Sequence, residues 1–342
     1  MKPAIDVRIG TLALRNPILV ASGIIGYGQE YERLVDLKSI GGIVTKTVTR
    51  RMRPGNPPPR VAETPAGMLN SIGIENPGLE GFLETKVPVL RKLPCAVVVS
   101  VEGENVEEFC DLVSGVDGCG AAQAIEVNIS CPNVGTHGLR YSTDAGMARE
   151  VMTAIRPLTK LPLIAKLTPN VTRIAEIAAA CEECGADAVS LVNTPVGMVV
   201  DVRKRRPVLG TVTGGLSGPA IKPLALAKLW ETVRAVDIPV IGMGGIGKPD
   251  DVLEFMLTGA IAVQIGTALF ADPGLPEACV ERLREYLREM GADSIDALIG
   301  ALETPAHMGP IRAGRGQRGG SAGAGGGHAA KKELAGTRRE PA

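Results

Sequence analysis

Eight short runs of β-branched and small apolar residues, each followed by a stretch with helical spacing, constrain this chain more than any other feature of its sequence. The runs lie at 18–21, 42–47, 96–101, 124–128, 163–167, 188–193, 240–243 and 262–265. Between them the apolar spacing takes a helical period, as over 173–183 and 225–236. Strands that alternate with helices build βαβ units and a parallel sheet. Gly185 and Gly259 each fall just before a strand, where a helix C-cap is expected. Eight such units predict an α/β fold of the (β/α)8 TIM-barrel class, which takes about 250 residues before insertions. Aromatic residues are only 3% of a chain that is 45% apolar, so Leu, Ile, Val and Ala must fill the core.

Two connections are too long for plain strand-to-helix loops. Residues 49–77 are rich in Pro, Gly, Asn and Arg, and residues 195–219 are similar. Both follow the C-terminal end of a strand and are expected as lids or substrate loops inserted over the active face. Residues 4–14 alternate like a small N-terminal hairpin that would plug the barrel bottom. After Leu302 the composition changes, with 10 glycines and no aromatic residue over 305–342. Such a segment cannot bury enough surface to offset its ordering entropy. The expected organisation is one barrel domain at 1–303 and a disordered, Gly-rich basic tail at 304–342.

Lys plus Arg and Asp plus Glu each number 37, so the chain has no bulk attraction to nucleic acid or to an anionic membrane. The tail carries seven basic residues against Glu333 and Glu340, leaving a mildly acidic body. The first ten residues contain no apolar signal region, and no run approaches the ~20 apolar residues of a membrane span. Seven cysteines without framework spacing fit a reduced, soluble, cytoplasmic protein.

Barrel chemistry sits at the C-terminal ends of the strands. Strand 1 ends in Ala21-Ser22-Gly23, small residues that let a flat ligand approach the backbone. Lys46 stands at the end of strand 2, before Thr47, and Lys166 at the end of strand 5. Asn128 ends strand 4, and Val192-Asn193-Thr194 end strand 6. A lysine in a buried strand is costly unless its charge is used. Two lysines and two asparagines at one barrel end describe a site for an anion and an amide. Gly244-Gly245 and Gly266-Thr267 follow strands 7 and 8, where barrels cradle phosphate on backbone N–H groups. No dinucleotide-fold or P-loop glycine signature competes.

Asn128-Ile129-Ser130-Cys131-Pro132-Asn133 places a thiol on a loop just past a strand end. A thiol of ordinary pKa ~8.5 can act as a base where substrate is admitted and the thiolate is stabilised. His137 is the one histidine nearby in sequence, and a nucleophilic Cys-His pair would lack a third, orienting group. Cys95, Cys110, Cys119 and Cys279 read as ordinary buried thiols. Cys181 and Cys184 form a C-x-x-C inside a helical run with no second pair, so no metal site is expected.

These residues resemble one family. The 128–133 loop, Pro65-Ala-Gly-Met-Leu-Asn-Ser-Ile-Gly73, Gly214-Gly-Leu-Ser-Gly-Pro-Ala-Ile221 and Ile241-Gly-Met-Gly-Gly-Ile246 are similar to the class 1 dihydroorotate dehydrogenases, over roughly residues 5–300. Membrane-bound class 2 enzymes carry serine at the cysteine position and an N-terminal anchor; this sequence shows neither. The stretch from Gly55 to Thr64 looks most like the B-type subgroup. The resemblance implies FMN-dependent oxidation of (S)-dihydroorotate to orotate in pyrimidine biosynthesis, with Cys131 as base and hydride passing to FMN. It implies a homodimer that assembles into a heterotetramer with a partner subunit carrying FAD and a 2Fe-2S cluster, which delivers electrons to NAD⁺. Lys46, Asn70, Asn128, Asn133, Asn193 and Thr194 resemble the orotate-binding set, with backbone from Ser71, Ile72, Gly73 and Ile74. Lys166 would stabilise the reduced flavin. Ala21, Ser22, Lys46, Thr47, Asn128, Val192, Gly218, Gly244, Gly245, Gly266 and Thr267 match FMN positions, the last four at the phosphate. Strand 3 of the B-type ends in an asparagine near the flavin, where this chain has Ser100, whose hydroxyl reaches less far.

Two other readings compete. A flavin barrel reductase acting on free pyrimidines or on uridine in tRNA would share the build, but a tRNA enzyme calls for a basic face that the acidic body lacks. A non-catalytic barrel subunit would not need Cys131, Lys46 and Lys166 together.

Overall fold

The computed structural model describes residues 3–130, 141, 143–305 and 308. The N-terminal hairpin pairs β1 (Val7–Ile9) with β2 (Leu12–Leu14) in antiparallel register, Val7 opposite Leu14. Barrel strands β3 (Ile18–Val20) and β4 (Gly42–Val44) follow. The first insertion supplies β5 (Val61–Thr64) and β6 (Gly67–Asn70). Barrel strands β7 (Ala96–Val101), β8 (Ala124–Asn128), β9 (Leu163–Lys166) and β10 (Ala188–Leu191) come next. The second insertion holds β11 (Val196–Met198), β12 (Val200–Asp201), β13 (Arg206–Pro207) and β14 (Thr213–Ser217). β15 (Val240–Met243) and β16 (Ala262–Ile265) complete the barrel.

The eight barrel strands close in the order β10-β15-β16-β3-β4-β7-β8-β9, every pair parallel. All eight runs expected from the sequence are barrel strands, shortened by a few residues at four C-terminal ends. Helices α1 (Val106–Asp117), α2 (Ala145–Ile155), α3 (Ile174–Glu183), α4 (Lys222–Val233), α5 (Pro249–Thr258) and α6 (Leu275–Glu289) pack outside. Asn105 starts α1 by accepting from Glu108 N at 2.9 Å, and Asp144 does the same for α2 from Met147 N at 2.9 Å. Gly259 ends α5 with φ +114°, as its position predicts. The connection from β3 to β4 departs from the plain pattern, containing only a 3₁₀ turn at Gln29–Tyr31.

Helix and sheet meet closely where the sequence allows it. A Cβ on Gly242 would lie 2.4 Å from Phe255 Cδ1, so the fully buried Phe255 of α5 needs glycine on β15 beneath it. The hairpin closes the barrel's N-terminal end: Ile9, Leu12 and Leu14 are buried, and the turn at Gly10 sits against Pro162 just before β9. The two insertions do not form separate loops. They join as one antiparallel sheet, β11-β14-β6-β5, with Gly215 opposite Asn70 and Ser217 opposite Met68. Ala62, Leu69 and Leu209 are buried together as a small second core within this lid. The stretch expected as a tail lies outside the described residues, except for Thr304, Pro305 and Met308.

Candidate active site

The C-terminal ends of the barrel strands open into a cavity of about 750 Å³, roofed by the lid sheet. That is the size of a small-molecule or cofactor pocket. A smaller hollow of about 330 Å³ lies at the opposite end, against the hairpin, and contains none of the expected site residues.

The cavity gathers residues from distant parts of the chain. Ala21 and Ser22 reach it from β3, Lys46 and Thr47 from β4, Asn128 from β8 and Lys166 from β9. Val192, Asn193 and Thr194 follow β10, Gly244 and Gly245 follow β15, and Gly266 and Thr267 follow β16. The lid side adds Asn70, Ile72, Gly73, Ile74 and Gly218. Two expected residues stand back from it. Ser100 is fully buried below Thr47, its Oγ 2.9 Å from Thr47 Oγ1, which lies 3.2 Å from Ser22 Oγ. Ser71 is turned away toward Asn56 Nδ2 (3.0 Å) and Thr211 Oγ1 (2.6 Å). Cys131, Asn133 and His137 lie outside the described residues.

Two polar networks hold the walls. In the first, Asn128 Nδ2 donates to Glu102 Oε2 at 2.7 Å while its Oδ1 accepts from Ser130 Oγ at 2.9 Å. Asn193 Nδ2 donates to the same Ser130 Oγ at 2.9 Å, so one serine ties two cavity asparagines from different strands. In the second, Lys166 Nζ lies 3.0 Å from Oε1 of Glu126, a carboxylate wholly removed from solvent. Glu126 Oε2 accepts from Ser190 Oγ (3.0 Å) and Gln264 Nε2 (2.7 Å). Glu126, Gln264, Ser130 and Glu102 are the functional neighbours that sequence reading missed. Each shows the signal that exposed Lys166, a polar side chain in or beside an apolar barrel strand.

The glycines make close approaches. A Cβ on Gly245, at φ +79°, would fall 2.5 Å from Lys222 N. At Gly266 a Cβ would meet nothing within 4 Å, so its backbone borders open cavity. In the roof, a Cβ on Gly215 would stand 2.0 Å from Thr194 Oγ1.

Three buried thiols away from the cavity are held protonated. Burial pushes Cys95 up to about 11, and Cys181 and Cys279 up to about 12. Among the described residues no three His, Cys, Asp or Glu side chains converge as a metal would require. No helix among them is long and apolar enough to cross a membrane.

The family model described as "Dihydroorotate dehydrogenase" matches residues 4–287. The chain belongs to the dihydroorotate dehydrogenase family. It is 51% identical over 303 residues, 89% of this chain and 100% of the relative, to a protein of Trichlorobacter lovleyi named "Dihydroorotate dehydrogenase B (NAD(+)), catalytic subunit". Proteins of the same name from Geobacter sulfurreducens and Desulforudis audaxviator are 49% and 48% identical over 88% of this chain, which covers 99% and 98% of them. The span that matches the dihydroorotate dehydrogenase model includes every barrel strand, both insertions and all of the cavity lining.

Proposed function

We propose that this chain is the FMN-bearing catalytic subunit of a B-type dihydroorotate dehydrogenase, oxidising (S)-dihydroorotate to orotate in de novo pyrimidine biosynthesis. The supporting observation is the single cavity into which Lys46, Lys166, Asn70, Asn128 and Asn193 all open beside the glycine cradle of β15 and β16. FMN suits this cavity. The open space at Gly266 and the close-packed backbone at Gly245 support an anion cradle at one end, and the Lys166 ammonium, paired with Glu126, has further N–H donors to offer the ring at the other. Gly244, Gly245, Gly266 and Thr267 would hold the phosphate. Ala21, Ser22, Thr47, Asn128, Val192 and Gly218 would hold the rest of the cofactor, with Ser100 acting through Thr47. When bound, FMN supplies the acceptor for the hydride leaving C6 of dihydroorotate.

The protein's own groups do the rest. Lys46 pairs with the substrate carboxylate, and Asn70, Asn128, Asn133, Asn193 and Thr194, with backbone from Ser71 to Ile74, orient the pyrimidine amides. The Cys131 thiolate removes the C5 proton. Its covalent neighbour Ser130 is buried and bonded to both Asn128 and Asn193. The barrel domain, 1–303, carries this chemistry and the 304–342 tail takes no part in it. The chain works in the cytoplasm as a homodimer, joined into a heterotetramer by an FAD/2Fe-2S subunit that passes electrons to NAD⁺. The relatives' name, a catalytic subunit acting with NAD(+), supports that arrangement.

Anaerobic mixing of the purified protein with dihydroorotate is expected to bleach its flavin; a flavin that stays oxidised overturns the assignment. Cys131→Ala is expected to retain flavin and slow its reduction by about 10²–10⁴-fold, as loss of a general base does. Reduction at the original rate would remove Cys131 from the mechanism.

A further inference from the structure

Four polar side chains from four barrel strands meet at the base of the cavity, and one acceptor atom is left over. Glu126 accepts from Lys166, Ser190 and Gln264. A carboxylate only accepts, so the Gln264 amide must turn its nitrogen toward it. This fixes the direction of Gln264 Oε1. That atom is buried without a hydrogen-bond partner, in a residue that is 2% exposed and lines the cavity. Buried acceptors are normally satisfied, so an orphan beside a cavity points to a donor brought by the ligand.

Its position narrows the donor. Gln264 stands two residues before Gly266 on β16, and its amide shares Glu126 with the Lys166 ammonium, which comes from β9. In the FMN reading, the phosphate lies at the end of β16 and the ring toward Lys166. The part of the cofactor between them is the ribityl chain, whose hydroxyls are donors. We infer that Gln264 Oε1 accepts a hydrogen bond from a ribityl hydroxyl of the bound FMN, with Glu126 as the residue that positions the amide. This rests on the FMN reading and adds to it a residue that selects a hydroxylated linker.

The test compares cofactors that differ by one hydroxyl. Flavin-free protein, wild type and Gln264→Met, is titrated with FMN and with analogues each lacking one ribityl hydroxyl, following the quenching of flavin fluorescence. One analogue is expected to bind wild type about tenfold more weakly than FMN, the size of one lost hydrogen bond. Gln264→Met should bind that analogue and FMN equally. Glu126→Gln, which lets the Gln264 amide turn either way, should shrink the same penalty. If no analogue loses more affinity in wild type than in Gln264→Met, Oε1 is satisfied by water and the inference falls. If wild type does not bind FMN, the cofactor reading falls and takes the inference with it. Should Gln264→Met not fold, Gln264→Asn withdraws the acceptor by one methylene and supports the same comparison.

Discussion

Lys166 is tied to a carboxylate that water does not reach. The side chains of Lys166 and Glu126 are 7% and 0% exposed. Removing one member of a buried pair leaves the other charge uncompensated, at about 3–5 kcal/mol. Lys166→Met is therefore expected to destabilise even the flavin-free protein by about 3 kcal/mol, measured by urea unfolding, with Ser190 and Gln264 keeping the loss near the lower figure. The double variant Glu126→Leu/Lys166→Met should recover part of it; a single variant as stable as wild type would show that the pair contributes nothing. Lys166 was legible in the sequence because a lysine in an apolar strand demands a reason. Glu126 makes the same demand inside Ala124-Ile125-Glu126-Val127, and the two strands are neighbours, so the pair could have been found. Cys181 gives a pH signature at this same scale. Its thiol is raised in the folded state to about 12 from an ordinary 9.0 because burial disfavours the thiolate. The associated stability is fully present below pH 9 and is lost as pH rises toward 12. Cys181→Ala should thus lose less of its melting temperature than wild type between those limits, and parallel curves would contradict the shift.

Elements differ in how openly they are written. The barrel strands are legible because each must be apolar on both faces, and the helices because their stripe repeats with the helical period. The lid sheet is not. Its central pairing joins Asn70 to Gly215, 145 positions apart, and Gly-Gly-Leu-Ser looks like a turn until a partner strand is supplied. The helix expected between the first two barrel strands gives way to one 3₁₀ turn, since 21–41 holds many small and turn-forming residues. Gly215 links lid to site. Gly215→Ala would drive a methyl into Thr194 Oγ1, with an overpacking penalty of about 1–3 kcal/mol. The expected result is a KM for dihydroorotate raised roughly tenfold with flavin retained, since Thr194 belongs to the substrate-binding set proposed above. An unchanged KM would separate Thr194 from substrate binding.

At the scale of the whole molecule, the family match ends at residue 287 and the composition changes after Leu302, so residues 304–342 stand apart from the barrel sequence. A chain ended after Glu303 is expected to melt within about 2 °C of the full chain and to bind flavin as tightly, because a loss of a few tenths of a kcal/mol moves a molecule of this size little. A drop of many degrees would give 304–342 a structural role. The sheet over the barrel mouth has a further consequence. Arg203, Lys204, Arg205 and Arg206 form an exposed basic tip between β11 and β14, an open invitation to trypsin. A cut there divides the chain but not the roof, because β11 is stitched to β14 and β14 to β6 on the other insertion. The roof is a riveted plate whose two mounts stand on different sides of the barrel. Whatever passes beneath it must lift both mounts together or go around the edge.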